Sequence, residues 1–301
     1  MDKFLDSKKI DSKAVFCLLA RDCKEMLSNN IPIITYYRGF FAMSYVIVIE
    51  NDSKDGTNTV LDTWKNASEG VIVKHLDSSA FDQLARIERM SICRNAYIEE
   101  VKKLDFKPEY LILIDADVEL QKLDLHSIIS NAPSDWTGLF ANGQSYYSLF
   151  GKKISVAYYD LFAYVPYGSD EYELNNIQMM DNATRVDRLI KKSDYIKCNS
   201  AFGGMGIYRY HSVEKAGYAA VRNTKSRYFP HLCEHVGFNQ TCSTHGSLYI
   251  SKRMGLFYER LSFKRLCFVL LRKILGYEML MKIRIAISEK ILRKQVNHDY
   301  Y

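Results

Sequence analysis

One apolar segment that runs directly into two aspartates constrains this chain most. Residues 110–119 read YLILIDADVE, so Asp115 and Asp117 follow five apolar or aromatic residues. A continuous apolar run of this length is typical of a strand buried on both faces of a parallel sheet. Side chains two apart on an extended chain point the same way, so both carboxylates can face one site. We therefore expect an acidic pair at the carboxyl end of a strand, where α/β sheets bind ligands.

Apolar runs alternate with helical patterns along the first 120 residues. The pattern predicts strands over 13–20, 45–50 and 71–75, and helices over 24–34 with a break near Pro32, 59–65 and 83–104. The apolar side of the last helix is expected to hold Leu84, Ile87, Ile92, Ala96 and Val101. Strands and helices in this order predict an α/β fold with a mainly parallel sheet and helices on both faces. The sequence has no GxGxxG after its first strand and no GxxxxGK[ST], which disfavours a dinucleotide-binding domain and a P-loop NTPase.

Composition and cysteine usage point to an ordinary globular protein. Hydrophobic residues make up 48% and charged residues 25% of the chain, as in typical soluble domains. The seven cysteines are scattered without zinc-ribbon spacing, which predicts reduced thiols. The first ten residues are polar and charged, and no apolar stretch approaches the roughly 20 residues needed to span a bilayer. We therefore expect a cytoplasmic protein.

The positive charge of the chain is concentrated at its carboxyl end. Residues 262–296 hold nine Lys or Arg against two Glu, while the whole chain has a formal charge of +6. Large apolar residues are interleaved with these charges, so we expect a basic amphipathic helical tail over 261–301. Such a helix can lie on an anionic membrane or pack against the catalytic domain, and we expect the membrane contact. We expect no nucleic-acid partner, because no recognition motif accompanies the charge.

Two later segments contain glycine and histidine clusters. Residues 198–210, CNSAFGGMGIYRY, place Gly203 and Gly204 either in a loop that approaches a ligand or in a tight turn before a strand. Residues 231–250 include Glu234, His235 and His245. The intervening region is rich in tyrosine, which suits sugar-binding clefts.

Three segments in this order and spacing resemble the GT-A glycosyltransferases. Residues 46–57, VIVIENDSKDGT, resemble the strand and turn that hold the nucleotide, and Arg94-Asn95 resembles the "ARN" helix of that group. Asp115-Ala-Asp117 resembles its Asp-x-Asp motif. The acidic turn and the later Cys-Glu-His are more similar to the fungal capsule-associated (cryptococcal) alpha-1,3-mannosyltransferase type than to the common bacterial type. The resemblance covers about 13–118 well and 198–250 less well. The common bacterial type ends its second strand in Asp-Asp, whereas this chain has Glu50-Asn51, which leaves the base contact open.

The resemblance implies a fold, an activity and roles for individual residues. It implies a GT-A catalytic domain over 1–260, with a nucleotide-binding half at about 13–120 and an acceptor half at about 121–260. Its activity would be sugar transfer from a nucleoside-diphosphate sugar to a glycan or lipid-linked acceptor in surface polysaccharide synthesis. It implies that Asp117 holds Mn²⁺ or Mg²⁺, with Asp115 on the metal or the ribose. It implies that the nucleotide-sugar is contacted by Arg21, Glu50, Asp52, Arg94 and Asp115.

The chemistry of sugar transfer is consistent with these roles. A divalent cation that bridges two phosphates neutralises charge as the diphosphate departs, and Mg²⁺ or Mn²⁺ often needs only one or two carboxylates besides the phosphates. His245 or His235 could complete the metal shell. Glu234 is the candidate general base if the reaction inverts the anomeric centre, and a hydroxyl ligand if it retains it. The acceptor or donor sugar is expected at Gly203, Gly204, His235, Trp136 and Asp160.

Two other classes compete with this interpretation. Asp115-Ala-Asp117-Val118 also matches the Asp-x-Asp-x-[TV] nucleophile motif of haloacid-dehalogenase phosphatases, although three predicted strands precede it here. A non-catalytic sugar- or membrane-binding module is the third possibility, and it leaves the acidic and histidine clusters without a role. A sugar nucleotidyltransferase needs a glycine-rich basic loop after the first strand, which residues 20–23, ARDC, do not supply.

Overall fold

A computed structural model describes residues 9–81, 83–169, 176–225, 230–276 and 279–283 of the chain. Its strands are β1 Ile10–Ala20, β2 Phe41–Asn51, β3 Val71–Leu76, β4 Tyr110–Asp115, β5 Trp136–Leu149, β6 Lys152–Tyr158, β7 Val165–Pro166, β8 Tyr195–Ser200, β9 Met205–Arg209 and β10 Ser247–Arg260. Its helices are α1 Lys24–Arg38, α2 Thr57–Ala67, α3 Arg86–Lys102, α4 Leu125–Ser130, α5 Asn176–Leu189, α6 Tyr210–Val213, α7 Glu234–Ser243 and α8 Phe263–Leu275, with a 3₁₀ turn at Ser78–Phe81.

The strands form one mixed ten-stranded sheet in the order β3-β2-β1-β4-β9-β5-β10-β8-β7, and β6 pairs with β5. Strands β1 to β4 are parallel to their neighbours in this set. Strand β9 is antiparallel to both β4 and β5, and β10 is parallel to β5. Strands β1, β2, β4, β5 and β10 therefore end at the same edge of the sheet. The predicted α/β fold is confirmed.

The core explains why the strands are continuous apolar runs. Alternate residues of β1 and β4 belong to two different clusters, one on each face of the sheet. One cluster packs Phe16 and Ile112 with the helices α1 and α2, and the other packs Cys17 and Leu113 with α3 and α7. Both faces of these strands are buried, so a polar residue fits only where the strand ends.

Two details of the predicted helices are wrong. Helix α1 does not break near Pro32 but continues to Arg38, because Pro32 lies on its exposed side, where water can satisfy the missing hydrogen bond. In α3 the buried face centres on Arg94 and Tyr97, whereas Leu84, just before the helix, and Ile92 are exposed. The helix turns its polar Arg94 toward the protein because that side chain has buried partners there.

The carboxyl-terminal helix packs on the domain through two of its basic side chains. Arg272 is buried, and the Lys273 ammonium lies 2.7 Å from a carboxylate oxygen of Asp187. Residues 277–278 and 284–301 of the predicted tail lie outside the described residues. Within the described part of the chain no helix has both the length and the apolar character to cross a bilayer. The seven cysteines are free thiols in this structure, and six of them are buried.

Candidate functional site

An open cavity of about 270 Å³ lies at the carboxyl ends of β1, β2 and β4. Two aspartates and three arginines contribute to its wall, together with Asn51 and Tyr258. The full lining is Leu19, Ala20, Arg21, Cys23, Ile49, Asn51, Arg86, Arg89, Met90, Cys93, Asp115, Asp117 and Tyr258. The cavity thus combines fixed positive charge with accessible carboxylate, which is the composition expected of a site for a phosphorylated ligand and a cation.

The turns after β1 and β2 are joined by short hydrogen bonds. Asp55 accepts from the backbone N–H groups of Lys24 and Thr57, at 2.9 Å each, and so satisfies a free donor at the start of both α1 and α2. The Cys23 N–H donates to the Thr57 hydroxyl at 2.9 Å. The acidic turn of residues 51–57 is therefore a rigid support for the cavity wall.

Within this turn, Asn51 lines the cavity and its two acidic neighbours do not. Glu50 is buried, accepts from the Ser53 N–H at 2.6 Å and lies 2.9 Å from His75 Nδ1. Asp52 has a left-handed φ of 53° and pairs with Lys54. The Oδ1 atom of Asn51 is buried and has no hydrogen-bond partner among the described residues. Side-chain alternation could have shown this, because Ile49 and Asn51 share one side of the strand.

The two aspartates after β4 have different surroundings. Both carboxylate oxygens of Asp115 accept hydrogen bonds, from Arg94 Nη2 at 3.0 Å and from the Tyr258 hydroxyl at 2.9 Å. Asp117 is exposed to the cavity, and no other described side chain donates to it. The cavity walls shield its carboxylate from part of the surrounding water, and this desolvation, and next the negative charge of Asp115, raise the pKa of Asp117 to about 6. Asp115 is thus fixed by the protein, and Asp117 is the carboxylate that a ligand can engage.

The donor set fits a metal ion that is shared with a phosphorylated ligand. Among the residues that the structure describes, no cluster of three or more His, Cys, Asp and Glu side chains could hold a metal on its own. Mg²⁺ and Mn²⁺ are commonly held by one or two carboxylates together with substrate phosphates and water. Asp117 supplies such a carboxylate, and the unfavourable surroundings of its negative charge are what a bound cation would relieve.

Behind the cavity lies a buried arginine with two carboxylate partners. Arg94 is 1% exposed and donates from Nε to Glu234 Oε1 at 2.9 Å as well as to Asp115. Its guanidinium lies 5.3 Å from the ring centroid of Phe202. Glu234 is itself 2% exposed and is absent from the cavity wall. In this structure Glu234 and Arg94 pair with each other behind the cavity, and neither is among its lining residues.

His245 and Trp136 lie at the opposite edge of the sheet. Trp136 begins β5 at the amino end of β4, is buried, and stacks on Tyr110 with ring centroids 6.1 Å apart. Ser247 pairs with Trp136, and His245 precedes it with its Nδ1 atom 3.0 Å from the Thr244 hydroxyl oxygen. Asp115 is the last residue of β4, and Asp117 follows its carboxyl end. The structure thus separates His245 from the carboxylates with which it was predicted to bind a metal, and it places Trp136, a predicted sugar contact, at the same distant edge.

His235 packs in the protein interior. Its ring stacks on Phe202 at 3.8 Å between centroids, and neither ring nitrogen has a hydrogen-bond partner among the described residues. Burial, and next the positive charge of Arg94, lower the pKa of His235 well below its usual value. A neutral buried imidazole supports the packing around Arg94 and does not line the cavity.

The two glycines form a tight turn that presses against β5 and the end of β4. Gly203 and Gly204 have φ of 67° and 92°. A Cβ on Gly203 would lie 2.1 Å from the Ala141 carbonyl oxygen, and the Gly204 carbonyl accepts from the Asp115 N–H at 3.0 Å. The Gly203 N–H donates to Asp160 at 2.8 Å, and burial raises the pKa of Asp160 to about 6. The turn therefore shapes the end of β4 and positions Asp160.

Besides Asn51, three polar residues of the cavity wall were not predicted from the sequence: Arg86, Arg89 and Tyr258. Arg86 and Arg89 lie on the first turn of α3, and neither forms an ion pair with another described residue. Their spacing of three places both on one helix face, which is a usable signal. Tyr258 comes from a bulged region of β10, and its ring stacks on Tyr159 at 3.9 Å between centroids. No local sequence pattern predicts the stacking of Tyr258 on Tyr159.

Comparison with known proteins finds similarity only at the level of solved structures. No family model and no curated protein matches the chain. A structure of S. aureus TarS 1-349 is 11% identical with a TM-score of 0.45, over 82% of this chain and 60% of that one. The same protein in complex with UDP-GlcNAc is 11% identical with a TM-score of 0.46, over 85% and 60%. The mannosyltransferase PcManGT from Pyrobaculum calidifontis, in complex with GDP-Man and Mn²⁺, is 10% identical with a TM-score of 0.48, over 92% and 65%. The chain spans less than two thirds of the length of these structures.

Proposed function

We propose that this chain is a metal-dependent glycosyltransferase that moves a sugar from a nucleoside-diphosphate sugar to an acceptor hydroxyl. One observation carries the proposal. A single cavity at the carboxyl ends of β1, β2 and β4 brings the accessible carboxylate of Asp117 together with Arg21, Arg86 and Arg89. A diphosphate needs cationic partners, and a cation on that diphosphate needs a carboxylate.

Each part of the cavity has a proposed role toward the donor. Arg86 and Arg89 bind the diphosphate oxygens, and Arg21 closes the opposite wall after β1. Asn51 contacts the base, because its unpartnered buried oxygen can accept from a base N–H and its amide can donate. Bound Mn²⁺ or Mg²⁺ would be held by Asp117 and would supply charge neutralisation on the departing diphosphate.

The remaining site residues hold this arrangement in place. Asp115 receives hydrogen bonds from Arg94 and Tyr258, which fixes the backbone that carries Asp117. The stacked Tyr159–Tyr258 pair and Asp160 form the proposed sugar-binding side, since aromatic faces and carboxylates are suited to sugar faces and hydroxyls. The proposed mechanism gives Glu234, His245 and Trp136 no contact with the metal or the substrates.

We further propose a hexosyl donor and a glycan or lipid-linked acceptor in surface polysaccharide synthesis, at the cytoplasmic face of an anionic membrane. The support for this location is the carboxyl-terminal segment, with nine basic residues against two acidic residues over 262–296.

The phosphatase alternative is not supported by the geometry. Such an enzyme needs a first aspartate whose carboxylate is free to attack phosphorus. Both oxygens of Asp115 already accept hydrogen bonds, one of them from the buried Arg94. A nucleophile held in this way is not free to turn toward a substrate.

Thermal stability against UDP, GDP, CDP and ADP, each with and without Mn²⁺, tests the proposal directly. Binding to the folded state raises the melting temperature by mass action. We expect a shift with one nucleotide that grows with Mn²⁺, and we expect Asp117→Asn to lose only the Mn²⁺-dependent part. Arg222→Gln, on a residue away from the cavity wall, is the matched control for Arg89→Gln, which should weaken binding in all conditions. The absence of any nucleotide shift would remove the proposal.

A further inference from the structure

The hairpin between β5 and β6 presents a phenylalanine to solvent. Phe150 is 95% exposed, and its neighbours Leu149 and Ile154 are exposed as well. Phe150 and Gly151 both have left-handed φ, at 49° and 75°, as a two-residue hairpin turn requires. Asparagine or aspartate is the favoured residue at such a position, and a bulky apolar side chain there adds strain and exposed area. The ring contributes little to the fold and is available for a contact outside the chain.

Helix α8 turns its apolar side outward. Phe263, Leu270, Leu271 and Ile274 are spaced i, i+7, i+8 and i+11, which places them on one face, and all four are exposed. Ile274 reaches 78% exposure. The basic residues Arg272 and Lys273 point the other way, into the domain. This is the reverse of an ordinary surface helix, whose apolar face packs on the core.

The hairpin and the helix leave the sheet at the edge that holds the cavity. The hairpin follows the carboxyl end of β5, and α8 follows the carboxyl end of β10, both parallel to β4. The Leu261 N–H donates to the Tyr146 carbonyl at 2.7 Å, so α8 starts beside the last residues of β5. Tyr258, two residues before the end of β10, contacts Asp115. An apolar surface at this edge therefore lies on the side where the cavity opens.

Charge identifies the occupant of this surface. Lys152 follows the hairpin tip and Lys264 follows Phe263, and both are exposed. Lys264 belongs to the segment 262–296, which holds nine basic residues against two acidic residues. Seven of the nine remain when Arg272 and Lys273, which face the domain, are left out. A second copy of the chain would bring two such segments together, and like charges oppose that contact. An anionic phospholipid surface can bury the apolar residues and attract the positive charge.

We propose that the β5–β6 hairpin tip and the outer face of α8 together dock on an anionic phospholipid bilayer, with the cavity edge of the sheet toward the membrane. Phe150 inserts at the interface and Ile274 anchors the helix beside it. The inference deepens the proposed membrane contact: it places the docking surface in two folded elements rather than in the charged tail alone. It does not depend on which sugar or nucleotide the cavity takes.

Co-sedimentation of the full chain with vesicles tests the inference. The vesicles contain either phosphatidylcholine alone or phosphatidylcholine with about one third phosphatidylglycerol, at physiological salt. The chain should partition to the anionic vesicles only. Burying a phenylalanine side chain is worth about 1.5–3 kcal/mol, so Phe150→Ser should weaken partitioning about tenfold or more. Ile274→Ser should weaken it to a similar extent.

Met43→Ser is the matched control, because Met43 is 44% exposed at the opposite edge, in the first half of β2. It should bind vesicles like the unaltered chain. Nucleotide-dependent thermal shifts should be unchanged in all three variants, which shows that they fold and separates this test from that of sugar transfer. Partitioning that Phe150→Ser and Ile274→Ser leave unchanged would overturn the inference. A concentration-dependent dimer that Phe150→Ser abolishes, without vesicle binding, would overturn it in favour of a second copy.

Discussion

Replacing Glu234 by glutamine removes one negative charge from a buried network and changes almost nothing else. Glutamine has the same shape as glutamate. Its carbonyl oxygen can still accept from Arg94 Nε, which lies 2.9 Å from Glu234 Oε1 in the unaltered chain. Both side chains are 2% exposed, so water cannot replace the lost charge. Arg94 would retain Asp115 as its single anionic partner.

The expected loss of stability follows from that geometry. A hydrogen bond to a charged group contributes about 1.5–3 kcal/mol, so Glu234→Gln should cost about 2 kcal/mol. Removing Arg94 is worse, because Arg94→Met leaves a buried carboxylate unpaired at a cost of about 3–5 kcal/mol. The double variant Arg94→Met, Glu234→Gln should cost less than the sum of the two single variants, because no unpaired charge remains at Glu234.

Urea and thermal unfolding of the three variants measure these values. A loss of about 2 kcal/mol should lower the melting temperature by roughly 4–8 °C in a domain of this size class. Well below that temperature, Glu234→Gln should bind nucleotide with Mn²⁺ and hydrolyse the donor within about tenfold of the unaltered chain. The reasoning fails if Glu234→Gln melts like the unaltered chain but loses turnover and the acidic limb of its pH profile. Glu234 would then be the general base.

Three further predictions concern single residues. Asp117→Asn should abolish the Mn²⁺ dependence of nucleotide binding in calorimetry while metal-free binding persists, and an unchanged Mn²⁺ dependence would exclude Asp117 as a ligand. The pKa of Asp160 is raised to about 6, so the folded state binds its proton more tightly than the unfolded chain does. The contribution of Asp160 to the free energy of unfolding therefore falls as the pH rises from about 4 to above 6. In urea unfolding, the stability of Asp160→Asn relative to the unaltered chain should therefore be higher at pH 7 than at pH 4.5. The opposite trend would refute the raised pKa of Asp160. Gly203→Ala should lower the free energy of unfolding by about 2 kcal/mol or more, because its Cβ would meet Ala141. Gly151→Ala is the control, since Gly151 has a similar φ and open space around it, and it should lower the free energy of unfolding by about 1–2 kcal/mol. Equal losses would contradict the close approach of Gly203 to Ala141.

The fold was predictable because its signals are local. Strands β1, β2 and β4 are buried on both faces, so each is a continuous apolar run that the sequence shows directly. The acidic pair follows from the point where such a run ends. Helix α3 shows the limit of this reasoning: its buried face includes Arg94, and a pattern of apolar residues cannot anticipate a buried arginine.

The site was only partly predictable because its contacts join distant parts of the chain. Glu234 lies 140 residues from Arg94 in sequence, and only the fold shows that the two neutralise each other. His245 and Trp136 have side chains suited to metal and sugar, but residue type does not reveal at which end of a strand they lie. Arg86 and Arg89 resemble the solvated charges of any surface helix until the cavity is seen beside them.

The orientation of α8 was equally hidden from the sequence. Its apolar and basic residues predict an amphipathic helix, but not which side faces the protein. The partners of Lys273, which are Asp187 and the Val156 carbonyl, come from α5 and β6. Those acceptors hold Lys273 against the domain and leave Leu270, Leu271 and Ile274 exposed, and this orientation supports a membrane surface as the partner of the helix.

The buried arginine also determines how a metal ion can enter the site. Because Arg94 and Tyr258 occupy both oxygens of Asp115, Asp117 is the remaining accessible carboxylate of the pair. A single carboxylate holds Mn²⁺ weakly, whereas a carboxylate and two phosphates hold it well. We therefore expect calorimetry to detect little binding of Mn²⁺ alone, and tight binding once a nucleoside diphosphate is present. Tyr258→Phe should free one oxygen of Asp115 and strengthen the binding of Mn²⁺ alone. Micromolar affinity for Mn²⁺ without nucleotide in the unaltered chain would show that the protein builds a complete metal site, and the shared site proposed here would be wrong.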